Sequence, residues 1–241
     1  MWWLWILLLL VILPMLFYRK HPIEYNIDCT INDTDDVQAG EGYFIVENML
    51  SDDCLSNLKT MFHEEAKKNK KLNENKELSF YTDTEFIKSL SRTVGFDLYP
   101  VNSLDSQRCW LRYYYEGMKS NYYENWHHDK NRYGNGVKQY RLVIPVYDTS
   151  DTIFSFGDGR KIEFKQNTGV LIEAGNCLHK VDFTSGERLV LIMDFTTKPC
   201  DSIFGHFSCR GPIGYFWWII DVIWRKLSSI WYEWSNSAKK T

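Results

Sequence analysis

Six histidines in 241 residues leave little from which to build a metal centre. The six cysteines offer no substitute, because they show neither a CxxC pair nor the spacing of a structural zinc site. Net charge is scarce as well: a formal −3 gives no electrostatic reason to expect nucleic acid as a partner. A further absence falls at the N-terminus, where Trp2 to Phe17 carries no charge before Arg19 and Lys20. The run lacks a basic start and the small residues that precede a signal-peptidase cut, which disfavours a cleaved leader. As a helix it would cover roughly 25 Å, enough for a thin bilayer, so residues 1–20 are expected to be a transmembrane anchor.

What the chain has in quantity is tryptophan, and it is placed unevenly. Of ten, three lie in the first five residues and five follow residue 216, where a membrane interface would want them. The Trp-rich tail, residues 200–241, is too short and too charged to span a membrane. On a helix, Ile213, Phe216, Trp217, Ile220, Trp224, Leu227, Trp231 and Trp234 would form one stripe. That stripe suits either an interfacial helix lying on a bilayer or a helix packed on the domain. Two tethers suggest the endoplasmic reticulum or another endomembrane. Arg19 and Lys20 favour a cytosolic domain, whereas the sequon Asn32-Asp33-Thr34 and the cysteines favour a lumenal one, so the side stays open. Most of Cys29, Cys54, Cys109, Cys177, Cys200 and Cys209 are expected to be buried thiols.

Residues 21–41 are polar and rich in Asp and Asn, which suits a stalk between anchor and domain. "YFIVENML" (43–50) then reads as a strand and a turn. Ser51 caps an amphipathic helix with Asp52 and Asp53 in its first turn, and "DTEFIKSLSRTVGF" (83–96) reads as a second, shorter helix. From Gln107 onward short β-branched and aromatic runs alternate with Gly-, Asn- and Asp-rich breaks. Helices first and seven or more short strands afterwards predict an α+β domain: a jelly roll with the N-terminal helices packed on one sheet.

The chemistry is spelled in "NWHHDKNRY" (125–133). On a strand, residues i and i+2 share a face, so His127 and Asp129 would project together and His128 would point away. A third ligand must come from elsewhere, and His179 is the one other histidine of the strand region, fifty residues past Asp129. Two histidines and a carboxylate match the facial triad of non-haem Fe(II) sites, which leaves coordination positions open. Cys177, two residues before His179, is the feature that would pull the preference toward zinc. Arg188 follows His179 by nine residues, past the turn "TSGE", and is expected to begin the neighbouring strand of a hairpin. A guanidinium in a sandwich mouth is costly unless a carboxylate meets it, so a dicarboxylate chelating the metal and reaching Arg188 would satisfy both. His21, His63 and His206 are read as structural, Asp194 and Glu173 as solvated or loop carboxylates. Tyr122, Tyr123 and Trp126 either line an entrance or pack together.

With these residues in hand, the chain resembles the Fe(II)/2-oxoglutarate-dependent dioxygenases of the prolyl-4-hydroxylase-like group over roughly residues 42–197. "YFIVENMLSDDCLSNL" is similar to their entry strand and first helix, "LRYYYEGM" to their Tyr-x-x-Gly strand, and His127-x-Asp129, His179 and Arg188 to their signature in order and spacing. The resemblance implies a double-stranded β-helix over residues 42–199. It implies Fe(II) on His127, Asp129 and His179, and 2-oxoglutarate held by Arg188 and Tyr114, with Tyr113 or Tyr115 as slips of register. It also implies dioxygen as oxidant, ascorbate as a candidate reductant, and hydroxylation of a peptide, protein or lipid. The chain departs from the group by inserting "SNYYEN" before the triad, by "FSFGDGRK" in place of a Gly-Gly, and by Val190 two residues after Arg188. Two other classes stay in view: an inactive metal-binding jelly roll serving as an interaction module, and a cupin-like metalloenzyme that does not use 2-oxoglutarate.

Overall fold

The computed structural model describes residues 25–34, 36–69, 73–76, 78–101, 109–118, 125–183, 185–200 and 203–237. The anchor expected over 1–20 lies outside them, as do His21, Tyr122 and Tyr123. Among the described residues no helix is long and apolar enough to cross a membrane.

Among the described residues twelve strands run in chain order: β1 (Val37–Gly40), β2 (Tyr43–Val46), β3 (Asn73–Asn75), β4 (Tyr99–Pro100), β5 (Cys109–Tyr115), β6 (His127–His128), β7 (Gln139–Asp148), β8 (Ile153–Phe156), β9 (Lys161–Glu163), β10 (Gly169–Glu173), β11 (Leu178–Asp182) and β12 (Glu187–Thr196). Eight form one sheet, ordered β1-β2-β10-β7-β12-β5-β3 with β4 on β12, and four form the other, ordered β6-β11-β8-β9. Helix α1 (Asp52–Asn69) follows β2 and helix α2 (Thr84–Val94) lies between β3 and β4, so the helices are interleaved with the first strands and do not come before them as expected; α3 (Ile203–Ser237) follows β12. This is an antiparallel two-sheet sandwich with helices on one side of the larger sheet.

Strand alternation explains the layers. On β12, Leu189, Leu191 and Met193 are fully buried against the helices' Leu58, Phe62 and Leu90 in the main core. The alternate residues Arg188, Val190, Ile192 and Asp194 are therefore carried on the opposite face, toward the smaller sheet. A central strand covered on both faces reads as an unbroken apolar run, and "RLVLIMDF" is one apart from Arg188 and Asp194. Each such buried aliphatic contributes roughly 1.5–3 kcal/mol. Asp83 caps α2 by accepting from Glu85 and Phe86 N–H groups.

Three sequence expectations change here. The stalk is partly domain: Ile27, Cys29 and Ile31 are buried in the main core, and β1 pairs with β2. Their period of two within a polar run is the strand-like signal that overall composition hid. The cysteines are mostly paired, Cys29 with Cys54 and Cys200 with Cys209, leaving Cys109 and Cys177 as buried thiols. Within the sequon, Asn32 Nδ2 already donates to the carbonyls of Asn48 and Leu50 at 2.7 and 3.0 Å.

Helix α3 is two helices joined at Gly211, whose φ of 68° and ψ of 173° break the spiral ahead of Pro212. The break lets the His206 ring stack on Trp218 at 4.2 Å. Tyr215, Trp218, Ile219 and Val222 are buried, while Ile213, Phe216, Trp217, Ile220 and Trp224 are exposed. The described part of the expected stripe is thus an open apolar face, backed by a second apolar face that is covered.

Candidate metal centre

Strand register brings the two histidines together. β6 and β11 are antiparallel, with His127 directly opposite His179 and His128 opposite Leu178. Directly opposed residues share a face, so the first pair looks inward, and the second pair is exposed. The His127 and His179 rings lie 4.3 Å apart between centroids. Asp129 follows just past β6, and one ligand atom from each of His127, Asp129 and His179 lies within 4.8 Å of the others.

Both imidazoles are oriented by backbone. His127 Nδ1 lies 2.8 Å from the Asn125 carbonyl, and His179 Nδ1 lies 3.1 Å from that of Cys177. With each Nδ1 donating to a carbonyl, each Nε2 keeps its lone pair for a metal. Burial lowers the His179 pKa, with the nearby Asp129 charge acting the other way, and a neutral ring is the form that ligates. Cys177 does not join them. It packs with Tyr43, Phe154 and Ile172 in an apolar cluster, and burial pushes its thiol up to about 12.

Arg188 reaches the site from the other sheet, not from a hairpin. β11 pairs with β6 and β8, whereas β12 pairs with β5 and β7, so the turn between them crosses from one sheet to the other. Arg188 is only 3% exposed. Its Nη1 donates to Thr152 Oγ1 at 2.9 Å, and its guanidinium sits 4.3 Å from the Tyr114 ring, its cross-strand neighbour. Its Nε is buried and meets no acceptor among the described residues. Burial is the main influence lowering its pKa, with Asp148 and Tyr114 opposing. Tyr114 faces the cavity, while Tyr113 faces the helices and donates to Glu187.

Between the triad and Arg188 lies a cavity of about 310 Å³, walled by Trp110, Val143, Phe154, Ile172, Val190 and Ile192 among others. Its size, and a wall that mixes apolar side chains with convergent charged ones, suit a small polar ligand.

Two functional candidates escaped the sequence reading. Arg141 on β7 lies opposite Asp194 on β12, and the pair is joined by Nε–Oδ1 at 2.9 Å and Nη2–Oδ2 at 3.1 Å. The same guanidinium reaches Asp129 Oδ1 at 2.9 Å. Gln139 Nε2 also donates to Asp194 at 3.1 Å. Asp194 is therefore no loop carboxylate. It is wholly buried, and burial raises its pKa while Arg141 opposes that rise. Glu173, at the end of β10, takes Lys138 at 3.0 Å and the Tyr140 hydroxyl at 3.3 Å. The available signal was a charge at the end of each of two strands whose apolar runs imply burial on both faces.

Replacing Asp194 with alanine leaves Arg141 with Asp129 as its remaining carboxylate and takes the acceptor from the buried Gln139 amide, and the expected cost is about 1–3 kcal/mol. Urea denaturation measures it. A loss within the range of an ordinary surface substitution would remove Asp194 from this role.

No family model matches the chain, and none of the curated proteins does. Among solved structures, a prolyl-4-hydroxylase from Pseudomonas putida is similar at 13% identity and a TM-score of 0.44, over 66% of this chain and 89% of that one. The 2-oxoglutarate complex of a viral collagen prolyl hydroxylase from Paramecium bursaria Chlorella virus-1 is similar at 12% identity and 0.44, over 66% and 98%. AviO1 from Streptomyces viridochromogenes Tue57 is similar at 10% identity and 0.46, over 67% and 92%. With identities this low and TM-scores below 0.5, none of them lends this chain a substrate.

Proposed function

We propose that this protein is a membrane-associated non-haem iron dioxygenase that couples 2-oxoglutarate decarboxylation to hydroxylation of a C–H bond. One observation carries the reading: two oriented imidazoles and a carboxylate converge at one end of a small cavity whose other end is a buried arginine with an unmet donor. The donor set is nitrogen and oxygen without thiolate, which fits iron(II). When bound, iron and 2-oxoglutarate together supply the activation of dioxygen.

The remaining work belongs to the chain. His127 and His179 present Nε2, each held by a backbone carbonyl behind it. Arg141 contacts Asp129 Oδ1 at 2.9 Å and would orient that carboxylate toward a metal. Arg188, backed by Thr152 and Tyr114, would receive the distal carboxylate of 2-oxoglutarate as a charge-assisted pair. Val143, Phe154, Ile172, Val190 and Ile192 would form the apolar part of the wall beside the reacting groups. Succinate formation by the full chain, dependent on added Fe(II), is the direct test. A protein that binds neither iron nor 2-oxoglutarate ends the reading.

Membrane association rests on the uncharged run at residues 2–17 and on the open aromatic face of α3. The two disulfides favour an oxidising compartment, hence a lumenal domain. Residues 21–241, which lack the expected anchor, should float with phosphatidylcholine vesicles. Trp217→Glu with Trp224→Glu should weaken that partition by about tenfold or more. Flotation unchanged in the double variant would detach the helix from this role.

A further inference from the structure

Arg112, Lys130, Arg132, Arg141 and Arg188 all line the cavity, and Arg188, at 3% exposure, is the most deeply buried of them. A guanidinium at that depth requires a counter-charge, and the structure supplies one through hydroxyl groups. Strand register sets Asp148, at the end of β7, directly opposite Arg188 on β12, so the two side chains share a face. Two side chains from the turn after β7 link them. Arg188 Nη1 donates to Thr152 Oγ1 at 2.9 Å, Thr152 Oγ1 lies 2.6 Å from Ser150 Oγ, and Ser150 Oγ donates to Asp148 Oδ1 at 2.5 Å. The Ser150 N–H donates to the same carboxylate oxygen at 2.9 Å.

Chemistry fixes the order of protons along this chain. An ionised carboxylate only accepts, so the single Ser150 hydroxyl proton points at Asp148. Thr152 then gives its own proton to Ser150 and offers Arg188 lone pairs only. Thr152, itself 3% exposed, therefore sets where the guanidinium sits but has no proton left for a ligand. The turn is held from outside as well. Thr149 N donates to the Glu187 carbonyl at 2.9 Å, and Ser185 N to Asp151 Oδ1 at 3.0 Å, so the segment leading into Arg188 keeps it in place.

Burial raises the Asp148 pKa and lowers that of Arg188, and each group's charge opposes the shift of the other. A carboxylate arriving at Arg188 would thus meet a negative charge that the guanidinium already feels. Two carboxylates sharing one guanidinium repel each other.

We propose that Asp148 is a specificity-determining residue, a built-in competitor for Arg188 that weakens 2-oxoglutarate binding, while Thr152 is the positioning residue that aims the guanidinium. This rests on the dioxygenase reading. The two residues belong to one hydrogen-bonded chain yet act with opposite signs, which a merely structural role would not produce.

The experiment uses the full chain loaded with Mn(II), which holds the cosubstrate without turnover, and titrates it calorimetrically with 2-oxoglutarate. Asp148→Asn keeps an acceptor for both Ser150 donors and removes only the charge. It should tighten 2-oxoglutarate binding about threefold or more. Thr152→Val keeps the shape and removes the acceptor for Arg188, so it should weaken binding about tenfold or more, and Thr152→Ser should restore it. The second probe is 2-oxopentanoate, which carries a methyl group in place of the distal carboxylate. Its binding is followed by the loss of manganese-bound water in proton relaxation. Neither variant should move its affinity or that of Mn(II), and Mn(II) affinity alone is the control if 2-oxopentanoate is too weak to register.

An Asp148→Asn protein that binds 2-oxoglutarate no better than wild type overturns the competitor. Wild-type affinity in Thr152→Val, or no recovery in Thr152→Ser, overturns the positioning role. Parallel losses for 2-oxoglutarate, 2-oxopentanoate and Mn(II) mark a structural defect and overturn the proposal too. A wild type that binds Mn(II) but not 2-oxoglutarate is a different result, and it removes the dioxygenase reading together with this inference.

Discussion

Wild-type protein reloaded with Fe(II) should turn 2-oxoglutarate into succinate, and His179→Ala should make none above background. The reason is geometric. His179 sits opposite His127 in the β6–β11 register and supplies one of the three atoms clustered within 4.8 Å. Without it a histidine and a carboxylate remain, and iron affinity should fall by about 100-fold or more, the upper range seen for losing even an outer-sphere partner. Added imidazole should restore part of the activity by filling the vacated position. His128→Ala supplies the control, because His128 is exposed opposite Leu178 and should behave as wild type. Turnover by His179→Ala at the wild-type rate would sink the triad, and dependence on His128 would mean that the register has been misread.

Arg188→Gln should separate cosubstrate binding from metal binding. Truncating one partner of a buried, hydrogen-bonded charge pair costs about 2–5 kcal/mol, so KM for 2-oxoglutarate should rise by about 30-fold or more. Iron affinity should stay unchanged, since Arg188 belongs to the opposite sheet from the histidines. Arg188→Lys should recover little, because an ammonium restores the charge without the planar fork. Stability should move the other way. Arg188 is buried with an Nε that meets no acceptor among the described residues, so Arg188→Gln should raise the melting temperature. Activity retained with KM unaltered would favour the cupin-like class. Iron and 2-oxoglutarate binding without any succinate would favour the interaction module.

Much of the site was legible because strand geometry is simple. The i, i+2 rule alone separates His127 and Asp129 from His128, and nine residues with a turn bring Arg188 near His179. Parity did not reveal that β11 and β12 belong to different sheets, because a turn between strands reads the same whether the chain reverses or crosses over. The stalk was misjudged because residues 21–41 were weighed by composition, while Ile27, Cys29 and Ile31 alternate at a strand's period. Cysteine pairing was out of reach in the same way. Cys29 and Cys54 are separated by 25 residues, and only packing makes them neighbours.

The sequence by itself determined the kinds of elements, the residue types of the triad, and the uncharged run and aromatic stripe at the two ends. These are local properties, set by periods of two and 3.6 and by the chemistry of individual side chains. The tertiary structure decided which charges meet. Arg141 reaches Asp129 and Asp194 because β7 and β12 pair in one particular register. Five cations share one cavity because two sheets and a loop close around it. Such encounters depend on long-range pairing, whose loop-closure entropy is repaid only by the whole sandwich, so no short stretch of the chain encodes them.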